Sequence, residues 1–270
     1  VKVLKPEEGI LKDKTAEFGF ADLTGWWYSV ELSDVNDDGK LDILAGNLGL
    51  NYKYKASSEE PFHVFYNDFD ENGSGDIVLG YHDDDGDLYP LRGRQCSSDQ
   101  IPSISEKFKT YDEYGSANLD EVYGGSSLKE SLHLTARNFA SLLMVNKGGN
   151  QFEINQLPRM AQISSVNSFI VEDFDGDMIK DILYAGNLYP VEVETTRNDA
   201  SFGGLLKGDI NGKYQYFGTS DTGFSAGGDV KHLASIPLAD GTMGILIVRN
   251  DSKLDLFRFK QAKSSMAQNQ

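Results

Sequence analysis

Residues 34–42 read Asp-Val-Asn-Asp-Asp-Gly-Lys-Leu-Asp, and this short acidic segment is the strongest indication of the chain's architecture. The same layout returns in residues 68–76, Asp-Phe-Asp-Glu-Asn-Gly-Ser-Gly-Asp, and in residues 173–181, Asp-Phe-Asp-Gly-Asp-Met-Ile-Lys-Asp. Each copy places Asp or Asn at positions 1, 3, 5 and 9, and an apolar run follows each one. A segment that occurs three times in one chain predicts an architecture built from structural repeats.

Aromatic and β-branched residues flank the three acidic loops and predict a strand on each side. The predicted strands before and after the loops are residues 27–32, 62–66 and 168–171, then 43–45, 77–79 and 182–184. A fourth hairpin is predicted from residues 230–237 and 243–248, around Asp240-Gly241, with further turns at Asp85-Gly86, Gly148-Gly149 and Asn211-Gly212. Many short strands separated by turn residues predict an all-β fold.

One stretch departs from this pattern, because residues from about 100 to 137 favour helix. We interpret it as a helical insertion between strands, too short and too interrupted by glycine to bury a core of its own. Residues 262–270 are polar and predict a loose tail. The whole chain, residues 1–270, is therefore predicted to form a single domain or a segment of one.

The acidic residues of the three loops are crowded, and such crowding predicts a bound cation. Like charges this close repel by roughly 1 kcal/mol per pair even in a water-like dielectric. Oxygen ligands from alternate positions of a turn suit a hard cation, and several carboxylates in a flexible loop favour calcium over magnesium. We predict about three calcium ions. Their predicted ligands, with position 7 giving a backbone carbonyl, are Asp34, Asn36, Asp38, Lys40, Asp42, Asp68, Asp70, Asn72, Ser74, Asp76, Asp173, Asp175, Asp177, Ile179 and Asp181.

Acidic loops of this kind also occur in EF-hands and in solvent-exposed turns. An EF-hand needs an acid at position 12, and that position holds Ala45, Leu79 and Tyr184. The other alternative is three solvent-exposed Asp/Gly turns without a bound ion. The threefold repetition of the layout makes this interpretation less favourable but leaves it open. The loop at 173–181 has Met178 where glycine is expected, so we predict strain at a positive φ and a remodelled, weaker third site.

Composition excludes several functions. A net charge of −17 disfavours binding to nucleic acid or to an anionic membrane surface, and no apolar run approaches the ~20 residues of a membrane span. A single cysteine, Cys96, excludes an internal disulfide framework. The four histidines, His63, His82, His133 and His232, show no zinc-binding spacing.

Further candidate residues lie outside the three loops. Glu192 or Glu194 could serve as a catalytic acid, and Trp26 or Trp27 could stack on a sugar, although packing in the core explains the tryptophans more simply. Residues 83–87, Asp-Asp-Asp-Gly-Asp, lack the 1-3-5-9 layout and are interpreted as the cap of an exposed hairpin.

The loops resemble the FG-GAP (VCBS-type) repeats of integrin-α-like β-propellers. The resemblance extends over residues 15–259 and includes the stretches Gly25-Trp26-Trp27, 46–51, 89–91, 101–102, 107–108, 146–152 and 199–201. These segments are similar to the C-terminal part of large bacterial FG-GAP/VCBS proteins that often carry an ASPIC/UnbV domain. The motif Ala45-Gly46-Asn47-Leu48, repeated at residues 185–188, follows two of the loops.

The resemblance implies a β-propeller whose blades hold calcium in a hairpin, in an extracytoplasmic, secreted or cell-surface setting. About four to five blades are visible, forming a small ring or part of a larger one. The first two loops start 34 residues apart, fewer than the roughly 40–50 of a full blade, so the first blade either lacks outer strands or borrows them. The expected role is a non-enzymatic module that binds a protein or glycan at a propeller face. The alternatives are a polysaccharide lyase or glycoside hydrolase, and a lectin-like module.

Overall fold

The computed structural model describes residues 1–83, 86–192 and 195–259. It is mostly β, with 36% strand and 16% helix. The chain divides into two compact units: unit 1 comprises Val1–Asp22, Trp26–Lys53 and Phe139–Gln270, and unit 2 comprises Leu23–Gly25 and Tyr54–Asn138. The predicted tail at 262–270 lies outside the described residues.

The strands, in chain order, are β1 (Leu4–Glu7), β2 (Ile10–Asp13), β3 (Ser29–Ser33), β4 (Asp42–Gly46), β5 (Phe62–Asn67), β6 (Asp76–His82), β7 (Leu88–Pro90), β8 (Leu132–Ala136), β9 (Leu142–Gly148), β10 (Gln151–Gln156), β11 (Ser168–Glu172), β12 (Asp181–Ala185), β13 (Gly204–Gly208), β14 (Tyr214–Phe217), β15 (Val230–Pro237), β16 (Met243–Arg249) and β17 (Asp255–Arg258). The helices are α1 (Arg94–Gln100), α2 (Ser103–Lys107), α3 (Tyr111–Gly115), α4 (Leu119–Tyr123), α5 (Gly125–Glu130) and α6 (Thr219–Thr222). Short 3-10 helices span Thr15–Phe18 and Arg159–Gln162.

Unit 1 contains three larger antiparallel sheets and the hairpin β1–β2. Their strand orders are β10-β9-β4-β3, β11-β12-β13-β14 and β15-β16-β17. The predicted strands around the acidic loops are confirmed, since β3 and β4 flank residues 34–42, and β11 and β12 flank residues 173–181. The predicted fourth hairpin is confirmed as β15 and β16.

The core of unit 1 lies between these sheets, and alternate side chains of β12 contribute to two different apolar clusters. Ile182 and Tyr184 contribute to an apolar cluster shared with the β4 and β9 residues Leu44 and Leu143. The alternate residue Leu183 belongs to a second cluster, shared with β15 and β16. Because successive side chains of a strand point to opposite faces, the central sheet is covered on both sides. This double burial explains why the run after the third loop is continuously apolar rather than alternating.

The first sheet obtains its outer strands from a distant part of the sequence. Strand β4 pairs with β9, with Ile43 opposite Met144, and β9 pairs with β10. The chain from Tyr54 to Asn138, which belongs to unit 2, is inserted between β4 and β9. The close spacing of the first two loops therefore arises because the second loop belongs to a different sheet, and the first sheet borrows its outer strands.

The repeated Ala-Gly-Asn motif has the same structural role in both copies. A Cβ atom added to Gly46 or Gly186 would lie 2.0 Å from a backbone carbonyl oxygen, so only glycine permits these close approaches. Asn47 and Asn187 are fully buried, and their side-chain amides donate to the carbonyls of Ala140 and of Ser201. The motif ties the end of the second strand of each sheet to the segment that leads into the third strand, β9 or β13, which is a structural role.

Unit 2 combines one sheet, in the order β7-β6-β5-β8, with the helices α1–α5. The predicted helical stretch begins earlier than expected, at Arg94, and its last residues form β8 instead. The prediction that it buries no core of its own is wrong: its helices and the turns between them share a buried cluster of Ile101, Ile104, Tyr114, Ala117 and Val122. Capping boxes at Thr110 and Asn118 start two of these helices, and such caps stabilise very short helices.

Candidate metal centres

The three acidic loops fold in the same way, and the side chain at position 1 organises each one. The carboxylate of Asp34 accepts hydrogen bonds from the backbone N–H groups of positions 5 and 6, at 3.0 and 2.7 Å. Asp68 accepts from the same two positions at 3.0 and 2.8 Å, and Asp173 at 3.2 and 2.9 Å. The side chain at position 3 also accepts from the N–H of position 5 in all three loops. The side-chain oxygens of positions 1 and 3 thereby share the N–H group of position 5 in each loop.

A positive φ at position 6 gives each loop its sharp turn. Gly39 and Gly73 adopt φ values of 81° and 88°, and Met178 adopts 68°. This strained conformation of Met178 is the one expected from the sequence, and the side chain is 85% exposed. The third loop nevertheless keeps the hydrogen bonds that positions 1 and 3 accept in the other two loops, and the remodelling of its metal site stays a prediction. The weaker affinity of that loop remains a prediction.

Position 9 holds a buried aspartate in each loop. Asp42 and Asp181 are 0% exposed and Asp76 is 4% exposed. Each accepts a hydrogen bond from the backbone N–H of position 2, at 2.9, 3.2 and 2.9 Å respectively. In unit 1 the second carboxylate oxygen also accepts, from Asn146 N–H for Asp42 and from Gly208 N–H for Asp181. A carboxylate so deep in the protein closes the loop and anchors it to the sheet.

Two of the loops bring three carboxylates within reach of one ion. In Asp68, Asp70 and Asp76, and likewise in Asp173, Asp175 and Asp177, one oxygen of each residue lies within 4.8 Å of the others. Loop 34–42 has three acids and Asn36 at positions 1, 3, 5 and 9, as many acids as loop 68–76 has there, whereas loop 173–181 has four. The pKa of Asp181 is raised by burial and also by the charges of Asp175 and Asp177. This repulsion identifies a place where a cation would be stabilised.

Lysine side chains already neutralise part of the charge at two loops. Lys40 lies 2.9 Å from Asp38. Lys207, on β13, forms ion pairs with Asp175 and with Asp177, the latter at 3.2 Å, and these acids raise the pKa of its ammonium group. Among the residues that the structure describes, no Lys or Arg forms an ion pair with Asp68, Asp70 or Asp76. The two acidic triads therefore differ in how much of their charge the protein itself compensates.

The donor chemistry of the triads fits a hard divalent cation. Every side-chain donor at positions 1, 3, 5 and 9 is a carboxylate or amide oxygen, the type of ligand that calcium and magnesium prefer. Residues 68–76 and 173–181 could each hold one metal ion. The remaining predicted donors, including those of loop 34–42 and the backbone carbonyls of Lys40, Ser74 and Ile179, stay predictions.

A cleft in unit 1 runs beside two of the loops. Its volume is about 910 Å³, and its walls include Asp37 of the first loop and Met178 of the third. Lys147, Lys180 and Lys213 also line it, together with Glu153 and Asp209. The cleft thus presents both signs of charge to any molecule that enters it.

Other predicted candidates occupy varied positions. Trp26 packs edge-to-face on Phe139 with ring centroids 5.4 Å apart, as the core-packing interpretation expects. Glu192 is half-buried, whereas Glu194 lies outside the described residues. The acidic run 83–87 is described only at Asp83, Gly86 and Asp87, where the Asp83 N–H donates to the Asp87 carbonyl at 3.2 Å.

Sequence spacing missed a histidine cluster in unit 2. His63, His82 and His133 lie on the neighbouring strands β5, β6 and β8. Nδ1 of His63 is 2.8 Å from Nε2 of His133, and Nε2 of His63 is 3.1 Å from Nε2 of His82. Burial, followed by the proximity of the other two rings, lowers the pKa of His63 to about 4. Chain separations of 19 and 70 residues match no linear motif, and only strand pairing and side-chain alternation could have revealed the cluster.

A scan against protein-family models gives no match for this chain, and a search of the curated proteins gives none either. Among the described residues, no helix is both long enough and apolar enough to cross a membrane.

Proposed function

We propose that this protein is a calcium-binding β-propeller module, or a segment of one, of the FG-GAP/VCBS type. The observation that carries the proposal is the hydrogen-bond pattern common to the three loops, together with the three carboxylates that lie within reach of one ion in residues 68–76 and in residues 173–181. Oxygen-only ligands with several carboxylates favour calcium over softer metals.

The sheets of unit 1 support the propeller part of the proposal. They follow one another in sequence, each begins with an antiparallel hairpin, and the central sheet packs on its two neighbours through opposite faces. Blades of a propeller are four-stranded antiparallel sheets placed side by side in this manner. Calcium in such a module is structural, because it neutralises a hairpin loop and fixes its conformation.

The proposed biological role is a non-enzymatic interaction module on the extracytoplasmic side of a bacterial envelope, with a protein or glycan as its ligand. The cleft beside loops 34–42 and 173–181 is a suitable binding place, because lysines and acids both line it. Binding to a glycan array in calcium should weaken when Lys180 is replaced by Ala. Replacement of the exposed Lys253, which does not line the cleft, serves as the control.

Thermal unfolding tests the calcium site. A ligand at 100 times its Kd stabilises the folded state by about 2.7 kcal/mol, and for a chain of this size each kcal/mol raises Tm by roughly 2–4 °C. We expect Tm to rise with free calcium and to return to its starting value on chelation, with magnesium less effective at equal concentration. A Tm that is the same in calcium and in chelator would refute the proposal.

A further inference from the structure

The histidine cluster of unit 2 is a second kind of site, chemically different from the acidic loops. Its three rings lie on one face of the sheet β7-β6-β5-β8, since His63 pairs with Gly80 of β6 and the next residue on that face, Phe65, pairs with His133 of β8. The ring of His133 stacks on Phe65 with centroids 4.2 Å apart. His63 and His82 are half-buried, whereas His133 is exposed.

The carbonyl group of Gly86 fixes the protonation of the rings. It lies 3.1 Å from Nδ1 of His82 and can only accept, so this nitrogen carries the proton. A neutral His82 then has a lone pair on Nε2, and that lone pair points toward Nε2 of His63. In the metal-free protein His63 donates through Nε2, and its Nδ1 accepts from Nε2 of His133.

The two facing Nε2 atoms have the separation that a transition metal requires. Imidazole nitrogens bind zinc at 2.0–2.1 Å, and with both at that distance the observed 3.1 Å separation corresponds to a nitrogen–metal–nitrogen angle of about 98°. This angle lies between the square-planar and tetrahedral values. An ion can therefore replace the shared proton after a tilt of the two rings.

Both rings also have the outer partners that metal-binding histidines use. A histidine that binds metal through one nitrogen nearly always donates the other N–H to an acceptor, which orients the ring. Nδ1 of His82 has the Gly86 carbonyl at 3.1 Å, and Nδ1 of His63 has Nε2 of His133 at 2.8 Å. When His63 binds metal, its proton moves to Nδ1, and His133 becomes the acceptor with its own proton on the solvent-facing nitrogen.

We propose that His63 and His82 bind one divalent transition-metal ion of the Cu²⁺, Ni²⁺ or Zn²⁺ class through their Nε2 atoms, with His133 as a positioning residue. Water completes the coordination. Imidazole favours these metals over calcium, and the expected order of affinity places Cu²⁺ first. The site is independent of the calcium loops, so the outcome of the calcium experiment does not bear on it.

The test uses the full chain without an affinity tag, in saturating calcium so that the oxygen sites are filled. Titration with Cu²⁺ should show one equivalent bound, with electron paramagnetic resonance splitting from two imidazole nitrogens. His82→Gln or His63→Gln should weaken this binding at least 100-fold. His232→Gln, which alters a histidine of β15 in unit 1, is the matched control and should change the Kd less than twofold.

His133→Phe separates the positioning role from ligation, because it keeps an aromatic ring on Phe65 but removes the acceptor. It should weaken copper binding 10–100-fold, the usual effect of losing an outer-shell partner, while the two-nitrogen splitting persists. Circular dichroism without metal checks that each variant folds. If His63→Gln does not fold, the copper affinity of His82→Gln alone tests the proposal. Absence of copper binding, a spectrum without nitrogen splitting, or unchanged affinity in His82→Gln would overturn the proposal.

Discussion

The loops at residues 68–76 and 173–181 share one backbone conformation and a triad of acids, yet their charges are compensated differently. Lys207 forms ion pairs with two acids of the later loop, whereas the described part of the chain brings no basic side chain into an ion pair with the earlier triad. The inner aspartates differ as well: Asp181 accepts two backbone N–H groups, but Asp76 accepts one. Neighbouring residues outside the shared motif therefore determine how strongly each loop depends on an added cation.

The largest expected effect comes from the inner aspartates in the absence of calcium. Asp181→Ala leaves two N–H donors without their acceptor, and each buried loss costs about 1–3 kcal/mol. We expect the free energy of unfolding, measured in urea with a chelator, to fall by roughly 3 kcal/mol. Asp76→Ala removes one such bond and should cost about half as much. Equal losses of unfolding free energy in the two variants would contradict the proposed difference between Asp181 and Asp76.

Calcium affinity should be higher at loop 68–76 than at loop 173–181, although the inner aspartate of loop 173–181 contributes more to stability. Since no described Lys or Arg forms an ion pair with the triad at 68–76, we expect it to be the tighter site in a calorimetric titration with calcium. Asp70→Asn should weaken that site roughly tenfold, which corresponds to about 1.4 kcal/mol. Asp99→Asn makes the same chemical change on helix α1 and should leave the titration unaltered. If Asp70→Asn instead weakens the lower-affinity binding event, loop 68–76 is not the tighter calcium site.

Met178→Gly should stabilise the third loop. A non-glycine residue at left-handed φ costs roughly 1–2 kcal/mol, and part of that gain is offset because glycine is more flexible when unfolded. The side chain is mostly exposed, so little burial is lost, and we expect a net gain of about 0.5–1 kcal/mol. Gly73→Ala, at φ 88°, should have the opposite effect on Tm. A fall in Tm for Met178→Gly would show that the strain is not relieved.

The smallest effect concerns Lys207. Exposed ion pairs contribute about 0.2–1 kcal/mol, so Lys207→Gln should strengthen calcium binding at residues 173–181 by at most about fivefold. Lys213→Gln removes a nearby exposed lysine without breaking an ion pair of that triad and should give a smaller gain. If both variants respond equally, general charge rather than the specific pair sets the affinity.

Much of the local structure was predictable, because turn chemistry and alternation act over short distances. The hairpins around residues 34–42, 68–76 and 173–181 follow from the spacing of Asp, Gly and apolar residues. The origin of the first sheet's outer strands did not follow, since β4 pairs with β9 across the whole of unit 2. No local pattern specifies such a partner.

The same distinction between short-range and long-range contacts applies to the candidate sites. The acidic ligands are neighbours in sequence, so their spacing predicts a cluster. Lys207 approaches Asp175 from 32 residues away, and the three histidines meet only because their strands pair. Contacts between separate helices also explain why unit 2 has a core there: members such as Ile104 of α2 and Val122 of α4 come from different helices.

The interruption of the first sheet has a consequence for the order of events during protein synthesis. Asp42 accepts a hydrogen bond from Asn146, 104 residues further along the chain, so the β3–β4 hairpin leaves the ribosome long before its partners. Closing so long a loop is entropically costly, whereas the sheet and helices of unit 2 are complete by then. The inserted unit should therefore fold first, while a bare strand edge upstream waits for β9 and is open to mispairing with other nascent chains.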